Sequence, residues 1–152
     1  MTIKIYTDGS CDNKTGHGGF GWCLSTKKQD FEMSGLAFGT TSNRMELTAV
    51  INALRFMSTL KVNHKRVTLY TDSRYVADGI NQWVYKWSLN DWKEAEERGI
   101  KNIDLWKTLY NLEKSSKVVV LWVKGHAGVP GNERADALAG EAMRRAKRRD
   151  RL

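Results

Sequence analysis

Two segments of the chain close on the same tripeptide, Tyr6-Thr7-Asp8 ahead of Gly9-Ser10 and Tyr70-Thr71-Asp72 ahead of Ser73. Each tripeptide ends an alternating run, Ile3 to Asp8 and Val67 to Asp72, which places each acid at the end of a β-strand. If these strands lie side by side and parallel, their ends fall about 4.8 Å apart and two carboxylates meet at one sheet edge. Two such anions repel unless a cation lies between them, and a divalent metal is the economical solution.

Helices supply two more acids. Met45, Ala49, Val50, Ala53, Leu54 and Met57 recur at helical spacing behind an Asn43 or Ser42 cap, and Glu46 shares their sheet-facing stripe. Taken alone, the spacing of Asn43 and Glu46 reads more readily as a capping box. Asp136 lies on the face of Ala139, Gly140 and Met143 in a helix that starts after Pro130-Gly131-Asn132, where an acid often only complements the helix dipole. Together the four acids, in a chain with two cysteines and three histidines, describe an all-oxygen site for hard cations such as Mg²⁺ or Mn²⁺. On a basic protein that points to metal-assisted phosphodiester chemistry.

The remaining elements frame this site. Phe20 to Leu24 and Phe31 to Phe38 read as a hairpin entered through the glycine-dense stretch Gly16 to Gly21. Ser73 to Ile80 begins a short helix, and Gln82 to Lys107, rich in tryptophan and charge, reads as two short helices around a loop at Arg98-Gly99. Lys117 to Val123 is a nearly continuous apolar run, expected of a strand covered on both faces. The loop from Lys124 to Gly128 precedes the last helix, Glu133 to Met143. The order β-β-β-α-β-α-β-α predicts an α/β fold with a mixed sheet: an antiparallel meander, then parallel strands reached through helical crossovers, with helices on both faces.

The chain has 152 residues, room for one domain. Its 41% hydrophobic and 28% charged residues are a globular composition. No run approaches the roughly 20 apolar residues of a membrane helix, and no signal-like segment opens the chain, so a soluble, cytoplasmic protein is expected. Cys11 and Cys23 are too few for a disulfide framework and read as free thiols. The formal charge of +8 suggests a polyanionic partner, nucleic acid before membrane. Residues 144–152 carry +5 of it, while the segment 82–107 balances five cations with five acids. The expected organisation is therefore a domain over 1–143 and a basic tail over 144–152 that adds salt-sensitive phosphate affinity or solubility.

In collinear order over nearly the whole chain, five segments resemble the ribonuclease H family of type 1. They are Tyr6 to Cys11, Gly18 to Gly21, Thr40 to Leu47, Tyr70 to Ser73, and Val123 to Asp136 with its Gly125-His126 and Gly131-Asn132-Glu133-Arg134-Ala135-Asp136. The resemblance implies the ribonuclease H fold, a five-stranded mixed sheet flanked by helices, and endonucleolytic hydrolysis of the RNA strand of RNA/DNA hybrids to 5′-phosphate and 3′-hydroxyl ends. It makes Asp8, Glu46, Asp72 and Asp136 the ligands of two Mg²⁺ ions, with Asp8 bridging and Mn²⁺ an acceptable substitute. His126, on a glycine-flanked loop, becomes a mobile proton shuttle, a task suited to a side chain that changes charge near neutrality.

The same resemblance assigns substrate contacts. Gly9, Ser10 and Cys11 backbone groups, with Glu46 and Arg74, are candidates for the 2′-hydroxyls that distinguish RNA. Lys14 belongs to the same binding surface. Thr41, Ser42 and Asn43 suit the phosphates and sugars of the DNA strand, joined by Trp83 and Asn102. Trp87, Trp92, Trp106 and Trp122 are expected to be core or inter-helix packing, and His17 and His64 surface residues. Lys14, Ser25 and Ser42 depart from common family residues. Segment 82–107 corresponds to the family's handle, although its balanced charge equally suits a salt-bridged surface helix pair. A monomer without an obligate protein partner is expected. The competing reading is a catalytically silent hybrid-binding module of the same fold.

Overall fold

A computed structural model describes residues 2–61 and 66–151; His64 lies outside them. Five strands, β1 (Thr2–Cys11), β2 (Gly18–Ser25), β3 (Asp30–Ala37), β4 (Arg66–Thr71) and β5 (Val118–Trp122), form one sheet in the order β3-β2-β1-β4-β5. The first three are an antiparallel meander, and β4 and β5 join in parallel. This is the mixed sheet the element order predicts. The repeated tripeptides lie in register, Tyr6 against Tyr70 and Thr7 against Thr71, and the two tyrosine rings stack with centroids 4.7 Å apart.

Helix α1 (Ser42–Thr59) covers one face. Its stripe Leu47, Val50, Ala53, Leu54 and Met57 packs with Ile3, Ile5, Trp22 and Leu24 of the strands, all buried. The Trp22 indole donates a hydrogen bond to Asn52 Oδ1 at 2.8 Å, which satisfies its polar atom inside this layer. Gly9 does not end β1 as the sequence suggested, because the strand continues to Cys11. Glycine serves there a different need: a Cβ would run into the α1 backbone at Met45 and Glu46, so only a bare backbone lets helix and strand approach.

Helix α6 (Pro130–Arg149) lies on the opposite face. Ala135, Ala139, Ala142 and Ala146 are all buried, and Gly19 of β2 has no space for a Cβ against Ala139, Ala142 and Met143. Small side chains on both surfaces bring helix and sheet close. The helix is longer at both ends than the expected Glu133 to Met143, since the alanine stripe continues to Ala146 and carries the basic residues with it.

β5 departs from expectation. It is an edge strand, with Val118 and Val120 buried, whereas Val119 is 57% and Leu121 45% exposed. A continuous apolar run hid a one-sided strand.

Between β4 and β5 the chain forms α2 (Arg74–Asp78), a π-helical turn (Gly79–Trp83), α3 (Val84–Ser88), α4 (Lys93–Glu97) and α5 (Ile103–Ser116). The turn at Arg98-Gly99 is where the sequence puts it, with Gly99 at φ +68°. Fully buried Trp106 anchors this segment and stacks near Tyr75, Trp83 and Trp87. Trp92 is also buried, as expected, while Trp87 is only half-buried. Where two short helices are expected the segment holds three, α3, α4 and the start of α5, and Lys107 with Glu96 at 2.5 Å is the one salt bridge inside it among the described residues.

Candidate active site

The register of β1 with β4 brings the two strand-end acids together, and α1 delivers Glu46 to them. Carboxylate oxygens of Asp8, Glu46 and Asp72 lie within 4.8 Å of one another. Thr41, not Ser42 or Asn43, caps α1, accepting the Arg44 N–H on Oγ1 at 3.2 Å. With the cap two residues before Asn43, Arg44 occupies the position a capping box would give to Glu46, and Glu46 turns inward to 8% exposure. Asp136, from the second turn of α6, approaches from the other face of the sheet, close enough to help raise the Asp8 carboxyl. All four acids therefore converge.

Burial, the Glu46 charge and a carboxyl hydrogen bond with Glu46 hold the Asp8 carboxyl well above its usual range. Glu46 is raised by burial and by Asp72, although its bonds to Asp8 and the Gly9 N–H pull the other way. Burial and the neighbouring acids thus push both carboxyls up. Gly9 N–H also donates to Asp8 Oδ1 at 3.0 Å. Glu46 Oε2 is buried without a hydrogen-bond partner among the described residues. Crowded acids and an orphaned carboxylate oxygen suit a hard divalent cation, and the donor set is all oxygen.

His126 stands at the rim, exposed and at φ +56°. It forms a second potential ligand group with Glu133 and Asp136, again with atoms within 4.8 Å. Glu133 was not singled out in the sequence because a first-turn acid reads as dipole compensation. Asn132 was likewise read only as helix-start chemistry. It is 1% exposed, donates from Nδ2 to Asp72 Oδ2 at 3.5 Å, and leaves Oδ1 without a partner.

Trp122 is not core packing. Its indole donates to the Asp72 carbonyl at 3.0 Å, it is 39% exposed, and the Arg74 guanidinium lies 3.9 Å over its ring. Arg74 is thus ordered beside the acids by a cation–π contact.

The other substrate candidates occupy neighbouring surfaces. Ser10 and Cys11 continue β1 beyond the acids, and the Cys11 thiol donates to the Thr40 carbonyl. Thr41, Ser42, Asn43 and Asn102 line one groove with Asn13 and Lys101, about 330 Å³ in volume. Asn102, at φ +65°, donates to the Tyr75 hydroxyl and accepts from Arg44, which also pairs with Asp104 at 2.9 Å. Trp83 lines a separate depression of about 400 Å³ with Tyr75, Trp87, Lys86, Arg98 and Lys101. The zero net charge of segment 82–107 thus hides three cations, Lys86, Arg98 and Lys101, gathered on one surface. Lys14 is exposed in the β1–β2 turn, with its N–H bonded to Asp12. His17 is not a surface residue: its side chain is 12% exposed and bonded to Asp150 and Thr15, each at 2.7 Å.

A β3-β2-β1-β4-β5 sheet with carboxylates gathered where its parallel strands β1 and β4 stop pairing, met by an acid from each helical layer, defines the class of ribonuclease H-like nucleases. The profile of the RNase H family matches residues 1–144, so the chain belongs to the RNase H family. It is 45% identical over 147 residues to a ribonuclease H of Agrobacterium fabrum, covering 97% of this chain and 98% of that one. Among solved structures it resembles LC9-RNase H1, a type 1 RNase H with the type 2 active-site motif, at TM-score 0.81 and 33% identity over 93% of this chain and 72% of that one. It shares the fold of LC11-RNase H1 in complex with RNA/DNA hybrid, at TM-score 0.68 and 22% identity over 95% and 98% of the two chains. No helix among the described residues is long and apolar enough to cross a membrane.

Proposed function

We propose that this protein hydrolyses the RNA strand of RNA/DNA hybrids, leaving 5′-phosphate and 3′-hydroxyl ends. The observation that carries the reading is the convergence of Asp8, Glu46 and Asp72, with the unpartnered Glu46 Oε2 among them and Asp136 of the adjoining His126–Glu133–Asp136 group beside Asp8. These four acids would hold two Mg²⁺ ions, with Mn²⁺ an alternative. Bound there, the cations supply activation of a water and neutralisation of charge at the phosphate.

The chain's own residues do the positioning. Gly9 N–H fixes the Asp8 carboxylate, while Asn132 and the Trp122 indole fix Asp72 at its side chain and its carbonyl. His126, exposed beside Glu133 and Asp136, takes and returns a proton at the rim. Gly9, Ser10, Cys11, Glu46 and Arg74 face the RNA strand. Thr41, Ser42, Asn43, Asn102 and Trp83 receive the DNA strand, with Lys14 on the adjoining turn. The LC11-RNase H1 complex with hybrid supports this partner. We take the protein as a cytoplasmic monomer, which light scattering across concentrations would check.

Labelled RNA/DNA hybrid, duplex DNA and duplex RNA, each incubated with Mg²⁺ or EDTA, test the reading. Metal-dependent cutting of RNA in the hybrid alone is expected. Metal-independent cutting, or binding of hybrid without any cleavage, would overturn it.

A further inference from the structure

The residues expected to form a basic tail instead continue α6 to Arg149, and the acids do not absorb their charge. Arg144, Lys147, Arg148 and Arg151 recur at helical spacing and together line a depression of about 250 Å³. Arg144 and Arg148 share the single carboxylate of Glu141, and Arg149 and Arg151 have no carboxylate partner among the described residues.

This end of the helix is tied to the active-site side of the molecule. Lys147 pairs with Asp12 at 2.6 Å, and Asp150 with His17 at 2.7 Å. The turn they clasp continues directly into Asn13, which lines the groove of Thr41, Ser42 and Asn43. The depressions around Trp83 and Thr41 share Lys101, and Lys147 of the arginine depression pairs with Asp12 beside Asn13, so cations gather on both sides of the groove.

We infer that the last turns of α6 are a further nucleic-acid contact, binding the phosphodiester backbone of the duplex where it runs past the groove. The inference rests on the hybrid substrate argued above. A lipid surface fits less well, because a helix that lies on a membrane presents an apolar face to it. Here Ala135, Ala139, Ala142 and Ala146 are buried against the sheet, and the exposed side of the last turns is Arg144, Arg145, Arg148, Arg149 and Arg151.

The test is fluorescence anisotropy of a labelled RNA/DNA hybrid in EDTA over a salt series. It compares the wild type with Arg144→Gln/Arg148→Gln/Arg151→Gln and the corresponding triple lysine variant. All three arginines are exposed, the clasp residues remain, and circular dichroism confirms folding. The slope of log affinity against log salt should become shallower by about 2 to 3 in the glutamine variant, with about a tenfold weaker complex at low salt. The lysine variant should keep the wild-type slope, and the turnover number at saturating hybrid should not change. An unchanged slope in the glutamine variant would overturn the inference, whether or not affinity falls. So would loss of binding to phosphatidylserine vesicles with hybrid binding intact. A wild type that binds hybrid with the steeper slope yet never cuts it would instead refute the catalytic reading and leave this surface standing.

Discussion

Asp8→Asn should stabilise the metal-free protein while abolishing cleavage. Asp8 is 5% exposed, and burial together with the Glu46 and Asp72 charges keeps its carboxyl protonated in the folded state. In the unfolded chain it ionises near pH 4. Below that pH both states hold the proton and the group has no influence on folding. Above it the unfolded state alone releases the proton, so wild-type stability falls as pH rises toward the raised folded value. At about 1.4 kcal/mol per pH unit the ceiling is about 4 kcal/mol by pH 7, and proton sharing with Glu46 brings it to about 2 to 3. Asparagine keeps the shape, still accepts the Gly9 N–H, and offers an amide donor to Glu46. Thermal unfolding in EDTA from about pH 4 to 8 should show a gap that opens with pH, reaching about 5 to 10 °C. Added Mg²⁺ should narrow it, because the wild type gains binding energy that the variant lacks. A variant no more stable than the wild type at pH 8, or a gap independent of pH, would refute the electrostatic account of this site.

Other outcomes follow from the same geometry. His126→Ala should slow turnover without eliminating it, and its pH–rate profile should lose a limb that the wild type shows; coincident profiles would remove His126 from the mechanism. Asn132→Ala should raise the Mg²⁺ concentration needed for half-maximal activity, since Asp72 loses its amide donor, with little change in hybrid binding measured in EDTA. Thr41→Ala removes the side-chain cap of α1 and should cost about 1 kcal/mol in urea unfolding, with weaker hybrid binding from the groove it lines. Gly9→Val should fail to accumulate folded protein, because α1 would be forced off β1; a soluble variant with wild-type melting would show that the close approach is dispensable.

The acids were legible because strand ends and helix faces are local properties. Alternation places Asp8 and Asp72, and the 3.6-residue period places Glu46 and Asp136. What escaped was set by tertiary neighbours. Val119 and Leu121 are apolar yet exposed, since only the topology makes β5 an edge. His17 lacks sequence context because its partner Asp150 lies 133 residues away. Asn132 and Glu133 looked like ordinary helix-start residues, and Trp122 resembled any apolar strand residue until its indole met the Asp72 carbonyl. The cap of α1 shifted by one residue because threonine and serine offer similar hydroxyls, and the inward demand on Glu46 decided between them.

Helix α6 runs without interruption from the Asp136 carboxylate to the arginines of its last turns. A straight helix rises 1.5 Å per residue, so Asp136 and Arg148 stand about 18 Å apart along its axis. B-form duplex advances about 3.4 Å per base pair, which makes that distance about five base pairs, and an A-like hybrid with its shorter rise fits more. With a duplex laid along this helix, α6 acts as a ruler: a stub of hybrid shorter than that span reaches only one end of it, and ribonucleotides near a junction would be held with less grip than those inside a long hybrid.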